Sequence, residues 1–205
     1  MGSSPAPGPI RFYFDFASPY AYFAAREIDA LAAEFGRTVV WRPILMWAVL
    51  KAHGIAAPME TPAKRAYMLA DMKRSAAYLG APYVHPVKLP PSSHLAGRLY
   101  HAVESESPET ARELTRRLFT PFFADQRDIS DEATLVALAA DAAITAEEAV
   151  EGMRGPRGRA LLEEAVAEAI TAGVVGSPQF VVDGEGLFGA DRLPQLRWLL
   201  AGGRS

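Results

Sequence analysis

The order of elements written into this sequence predicts an α/β fold. Three observations predict it: a strand-helix-strand unit at the start, a long alanine-rich helical stretch in the middle, and two short strands with a helix at the end. The roughly hundred-residue helical stretch is too long to be one crossover between strands, so it reads as an inserted all-helical subdomain.

Residues 1–9 are rich in Pro, Gly and Ser and read as a flexible leader. Residues 10–16 alternate large apolar side chains with Arg11 and Tyr13 and then turn continuously apolar and aromatic, which suits a buried strand. Residues 19–35 carry Tyr20, Phe23, Ala24, Ile28, Leu31 and Phe35 at helical spacing, and Gly36 supplies a C-terminal stop. Residues 38–42, "TVVWR", predict a second strand parallel to the first after a right-handed crossover. Helices are predicted over 64–79, 108–123, 131–140, 145–153 and 157–171. Asp131 stands at a helix start, and Thr145 with Glu148 three residues on forms a capping box. "QFVV", the turn Asp183-Gly184 and "GLFG" predict a β-hairpin, followed by a helix over 191–200 that ends before Gly202-Gly203. The whole order is that of a thioredoxin-like fold whose middle helix has expanded. Residues 10–60 and 173–205 would form the thioredoxin-like domain, and 61–172 the insert.

Composition narrows the function. Half of the 205 residues are hydrophobic, enough for one substantial core, and the formal net charge of -3 offers no electrostatic case for nucleic acid or an anionic membrane. No apolar run approaches the ~18 residues of a membrane span and the start lacks the features of a secretory signal, so a cytoplasmic protein is expected. The chain has no cysteine, which excludes a disulfide framework and a CxxC redox pair.

Three stretches should converge at the strand ends. In "FDFASPYAYF", Ser18 sits at an N-cap and Pro19 at the first helical position. This is either ordinary capping or a hydroxyl at the positive end of a helix that favours a thiolate brought by a ligand. In "VVGSPQ", Pro178 either simply opens a strand or, in a thioredoxin-like layout, is a cis-proline that turns the Ser177 backbone toward an extended ligand. In "FGADRL", Asp191 is either a cap beside a surface arginine, or Asp191 and Arg192 receive the charged ends of a peptide-like ligand.

Taken in order, "FYFDFASPYAYF", "WRPILMWAVLKAHG", "TPAKRAYMLADMKR", "GVVGSPQFVVDG" and "LFGADRL" resemble the 2-hydroxychromene-2-carboxylate isomerase family and its relative, the kappa-class glutathione transferases. The resemblance covers nearly the whole chain beyond the leader. It implies a DsbA-like fold, a homodimer, and glutathione as cofactor or cosubstrate. It also implies that Ser18 is the catalytic serine at the glutathione sulfur and that Lys64 contacts glutathione. Ser177 supplies the backbone contact before Pro178, and Ala190, Asp191 and Arg192 form the last glutathione segment. Two positions depart from the pattern: Ile55 stands where kappa-like members often carry asparagine, and Ala190 where they carry serine, so those side-chain contacts are lost.

An aromatic acid requires an apolar slot with a cationic end. Trp47, Met46, Tyr67, Met68 and Tyr83 are the candidates for the wall, and Lys51, Arg74 or His53 for the carboxylate, although Asp71 and Arg74 are spaced to pair with each other. His85, His94 and His101 lack a ligand spacing, so no metal is expected. The expected reaction is isomerisation of the chromene to trans-o-hydroxybenzylidenepyruvate by reversible thiolate addition. The alternatives are a kappa-like transferase or peroxidase, and a noncatalytic thioredoxin-fold adaptor that binds peptides.

Overall fold

The structure, a computed structural model, describes residues 8–203, so most of the expected leader lies outside the described residues. Strand β1 (Ile10–Phe14) leads through a tight turn into α1 (Pro19–Ala25) and α2 (Ile28–Glu34), then β2 (Val39–Pro43) and α3 (Met46–Ala52). Six helices follow: α4 (Pro62–Tyr78), α5 (His94–Glu104), α6 (Pro108–Ala124), α7 (Glu132–Ala140), α8 (Ala146–Arg154) and α9 (Pro156–Thr171). The chain then returns to the sheet with β3 (Gln179–Val182) and β4 (Glu185–Phe188) and ends in α10 (Leu193–Leu200).

The four strands lie in the order β2-β1-β3-β4. β1 and β2 are parallel, with Phe12 opposite Trp41, whereas β3 runs antiparallel to β1 and β4 antiparallel to β3. Because side chains alternate along a strand, β1 buries one set of residues on each face. Phe12 stacks on Phe14 at 4.9 Å and on Phe180 at 5.5 Å and meets the edge of Trp41 at 5.0 Å, forming the centre of the larger core with α1, α2, α5, α6 and α10. Tyr13 points to the opposite face, where it packs with Ile44, Val49, Ala165, Ala169 and Val174 from the α3 and α9 side. The fold is thus the thioredoxin-like one with a large helical insertion, its sheet covered on both faces.

The helices of the insert start where the side-chain chemistry indicates. Thr145 Oγ1 accepts the Glu148 N–H while Glu148 Oε2 accepts the Thr145 N–H at 2.8 Å, and Asp131 caps α7 through the Thr134 N–H at 2.8 Å. The insert is tied to the sheet by an ionic knot. Arg42 of β2 reaches Glu104 of α5 at 3.1 Å and Glu168 of α9 at 3.2 Å, and Glu168 also accepts the Tyr13 hydroxyl at 2.8 Å.

Four local expectations need correction. The first strand stops at Phe14 rather than 16, because Asp15 turns the chain toward α1. The helix expected over 19–35 is two helices: at Arg26 and Glu27 the N–H groups bond three residues back rather than four, which re-aims Ile28 and Leu31 into the core. α3 and α5 were not anticipated. α5 buries Leu95, Ala96, Gly97, Leu99, Tyr100 and His101; Ser93 at its head gives no side-chain cap, and Gly97 lies in its second turn, where the Leu162 side chain of α9 packs close. The last helix begins as a 3-10 turn over Ala190–Arg192, so Asp191 is not a side-chain cap.

Candidate active site

Ser18, Ser177 and Pro178 meet at the carboxyl end of β1 and the start of β3. Ser18 caps α1: its Oγ accepts the Ala21 N–H at 3.2 Å and donates its own proton to the Ser177 carbonyl at 2.9 Å. The Ser177-Pro178 peptide is cis. The Ser177 side chain faces the strand end, where its Oγ accepts the Asp15 N–H at 2.8 Å, and the Ser177 N–H has no acceptor among the described residues. One main-chain donor is therefore open, and one main-chain acceptor is held only by a hydroxyl that can rotate away. That is the arrangement an extended ligand pairs with.

Behind Ser177, the Phe188 ring lies flat on Gly176, where a Cβ would come within 1.8 Å of the ring. Only glycine permits this approach, which walls one flank of the Ser177 backbone with a ring that is 52% exposed. The Gly189 N–H donates to the Pro178 carbonyl at 2.9 Å, so the β4 end and the Ala190–Arg192 turn are pinned to the proline loop. That turn also packs on α1. Asp191 and Arg192 therefore stand in a turn tied to both the proline loop and α1; both are exposed and pair with each other at 3.3 Å, and Arg192 also reaches Gln195. Arg192 lines a groove of about 290 Å³ between β4 and α10.

α3 and α4 supply the other residues. Trp47, 64% exposed, and Lys51 project from α3. Lys64 lies in the first turn of α4, exposed and without an ion-pair partner among the described residues. Tyr67 is 63% exposed one turn on, and the Arg74 guanidinium sits 5.9 Å from its ring centroid. Of the cations named for a carboxylate, Arg74 is already engaged with Asp71 at 3.1 Å, whereas Lys51 and His53 are exposed and have no ion-pair partner among the described residues. Tyr83 is half-buried: its ring meets the edge of Phe23, and its hydroxyl is committed to His85 Nδ1 at 2.7 Å, since His85 Nε2 faces the Leu69 carbonyl. Its ring thus belongs to the α1 side of the wall, and its hydroxyl is spent inside the protein.

Two contacts were not read from the sequence. The Tyr20 hydroxyl donates to Asp71 at 2.8 Å and so joins α1 to α4. Burial raises the Asp71 carboxyl, but hydrogen bonds from Tyr20, Arg74 and Ser75 outweigh it and hold the group below the usual carboxylate range. The second is Asp15, buried and bonded to the Ala17 N–H at 2.9 Å and the Met46 N–H at 2.8 Å. The available signal was a lone acid inside an otherwise apolar run, "FYFDFASP", since a carboxylate in such a setting must be partnered. Among the described residues no group of three or more His, Asp or Glu could hold a metal, and no helix is long and apolar enough to cross a membrane.

Comparison with known proteins places the chain in a family. Residues 9–201 match the model of the DSBA-like thioredoxin domain. The 2-hydroxychromene-2-carboxylate isomerase of Sphingobium xenophagum is 30% identical over 186 residues, covering 90% of this chain and 93% of the relative. Human glutathione S-transferase kappa 1 is 29% identical over 208 residues, covering 96% and 92%. Among solved structures, a 2-hydroxychromene-2-carboxylate isomerase superposes with a TM-score of 0.83 at 22% identity over 94% of each chain. The chain therefore belongs to the DSBA-like thioredoxin-domain family, and within it to the 2-hydroxychromene-2-carboxylate isomerase family, which is related to the kappa-class glutathione transferases.

Proposed function

We propose that this protein is a glutathione-dependent isomerase of 2-hydroxychromene-2-carboxylate-type aromatic acids, with Ser18 as its catalytic residue. The observation that carries the reading is the Ser18 hydroxyl bonded to the Ser177 carbonyl beside cis-Pro178. A bound peptide-like ligand can take both Ser177 main-chain groups, and when it takes the carbonyl it releases the Ser18 proton. The freed hydroxyl then donates to the ligand's sulfur and favours the thiolate over a thiol whose ordinary pKa is about 8.5.

The donor set fits glutathione. Ser177 offers an N–H and a carbonyl to the central residue; Lys64 and Arg192 offer cations, and Asp191 an anion, to the charged ends; Ala190 contributes backbone alone. Ile55, 39% exposed, offers an apolar side chain and no polar contact. When bound, glutathione supplies a thiolate that adds reversibly to the unsaturated chromene and leaves again after rotation about the resulting single bond, so it is not consumed. For the second substrate, Trp47 and Tyr67 provide an apolar wall, Tyr83 backs it, and Lys51 is the free cation nearest Trp47 in sequence, one helical turn on; Arg74 orients Tyr67 and is shared with Asp71. The homodimer implied by the family resemblance, and the cytoplasmic location expected from the sequence, belong to this reading.

A second reading, conjugation or peroxide reduction, is favoured by the 29% identity to a kappa-class transferase. Calorimetry with glutathione followed by turnover separates the two. Isomerisation of the chromene with the glutathione concentration unchanged supports the first reading. Glutathione consumption with a chlorinated aromatic or a peroxide, and no chromene turnover, replaces it with the second. Absence of glutathione binding removes both.

A further inference from the structure

Asp15 stands at the carboxyl end of the central strand, between the Ser18 turn and the Ser177 loop, and is only 4% exposed. Its two carboxylate oxygens accept from different segments: the Ala17 N–H at 2.9 Å and the Met46 N–H at 2.8 Å. The Asp15 main chain is used as well, its N–H by Ser177 Oγ at 2.8 Å and its carbonyl by the Ser18 N–H at 2.9 Å. Among the described residues no lysine, arginine or histidine pairs with it. Burial pushes its carboxyl up against the pull of these donors. A carboxylate at this depth without a countercharge is a poor source of stability, whereas one whose two oxygens accept from two segments fixes geometry.

We propose that Asp15 is the positioning residue of the active site, its carboxylate clamping the first residue of α3 to the Asp15–Ser18 turn. The Ser18 hydroxyl and the Trp47 wall on α3 are thereby kept at a fixed separation. The proposal rests on the glutathione reading above. α3 has no side-chain cap of its own at Leu45, and its first N–H, that of Met46, goes to Asp15 instead. A sulfur activated by Ser18 must meet an acceptor held against Trp47, and misplacement of such partners by about 1 Å costs on the order of a hundredfold in rate.

Asp15→Asn keeps the shape but has one acceptor oxygen, so either Ala17 or Met46 is left facing an amide donor. With the isomerase substrate, kcat at saturating glutathione should fall about thirtyfold while the glutathione Kd stays within about threefold of the parent. A kcat within about threefold of the parent, or a loss wholly accounted for by weaker glutathione binding, overturns the role. Should the variant fail to fold, hydrogen exchange of the unaltered protein decides. The Ala17 and Met46 amides must open with one common free energy and one denaturant dependence if a single carboxylate holds both, and separate values overturn the clamp. Failure of the unaltered protein to bind glutathione removes the functional reading itself. A normal parent with an unimpaired Asp15→Asn variant removes the Asp15 role alone.

Discussion

Replacing Ser18 with alanine removes two hydrogen bonds, the one its oxygen accepts from Ala21 and the one it donates to the Ser177 carbonyl. The first is an N-cap worth about 1 kcal/mol. The second leaves a partly exposed carbonyl that water can serve, so it adds little. At about 2–4 °C per kcal/mol for a chain of this size, the melting temperature should fall by only a few degrees. Catalysis should suffer far more. A hydrogen bond to a charged group contributes about 1.5–3 kcal/mol, so without it the pKa of the bound thiol rises by about 1–2 units. The sign follows from which form the hydroxyl favours: it stabilises the thiolate, lowers the thiol pKa, and its loss moves the midpoint to higher pH. Turnover below the parent's midpoint should therefore fall about ten- to a hundredfold, and the deficit should shrink as pH rises from the parent's midpoint to the variant's. Ultraviolet titration of the bound thiolate, run beside kcat against pH, reads both quantities. An unchanged midpoint with near-normal turnover, or a deficit of equal size at every pH, would refute the role assigned to Ser18.

Arg42→Ala strips Glu104 and Glu168 of their shared partner. These side chains are only partly buried and keep other donors, so we expect a loss of about 2 kcal/mol, measured by denaturant unfolding; a change below about 0.5 kcal/mol would show that the knot does not hold the insert. Gly176→Ala drives a Cβ into the Phe188 ring, and because that ring is half exposed it should swing away at a cost of about 1–3 kcal/mol. Glutathione affinity should weaken with it, and calorimetry showing unaltered binding would mean that this wall does not border the ligand. Asp71→Asn tests the α1–α4 link by pH. The Asp71 carboxyl is depressed in the folded state, so its contribution is present above the unfolded carboxylate pKa and lost as pH falls through the folded one. Parent and variant should thus differ in stability at neutral pH and converge in acid; a gap that persists in acid would contradict the assignment.

Much of the fold was legible because local chemistry and burial agreed. Val39, Trp41 and Phe180 are apolar where both sheet faces are covered, and Ser18, Asp131 and Thr145 cap their helices in the way their side chains favour. α5 was not legible because its start and interior carry opposing signals: Ser93 makes no side-chain cap, and Gly97, which reads locally as a breaker, is there to let Leu162 of α9 pack close. The break between α1 and α2 carries no glycine or proline; the need to bury both Phe23 and Ile28 produces it. At the site, Ser18, Pro178 and the Ala190–Arg192 segment could be found as motifs. Asp15 and Tyr20 could not, because what they do depends on Met46 and Asp71, partners 31 and 51 residues away.

By itself the sequence determined which chemistry is available. There is no thiol of its own, a hydroxyl stands at the head of a helix, a proline opens a strand, and the periodicity builds a sheet with a helical insert. Only the tertiary structure decided which groups share a space: that the Ser18 proton rests on the Ser177 carbonyl, that Arg74 is held by Asp71 while Lys51 stands exposed, and that one buried carboxylate joins the turn to α3. The reason is physical. Propensity and capping act over a few residues, whereas hydrogen bonds between segments far apart in the chain exist only once the core has brought their backbones together.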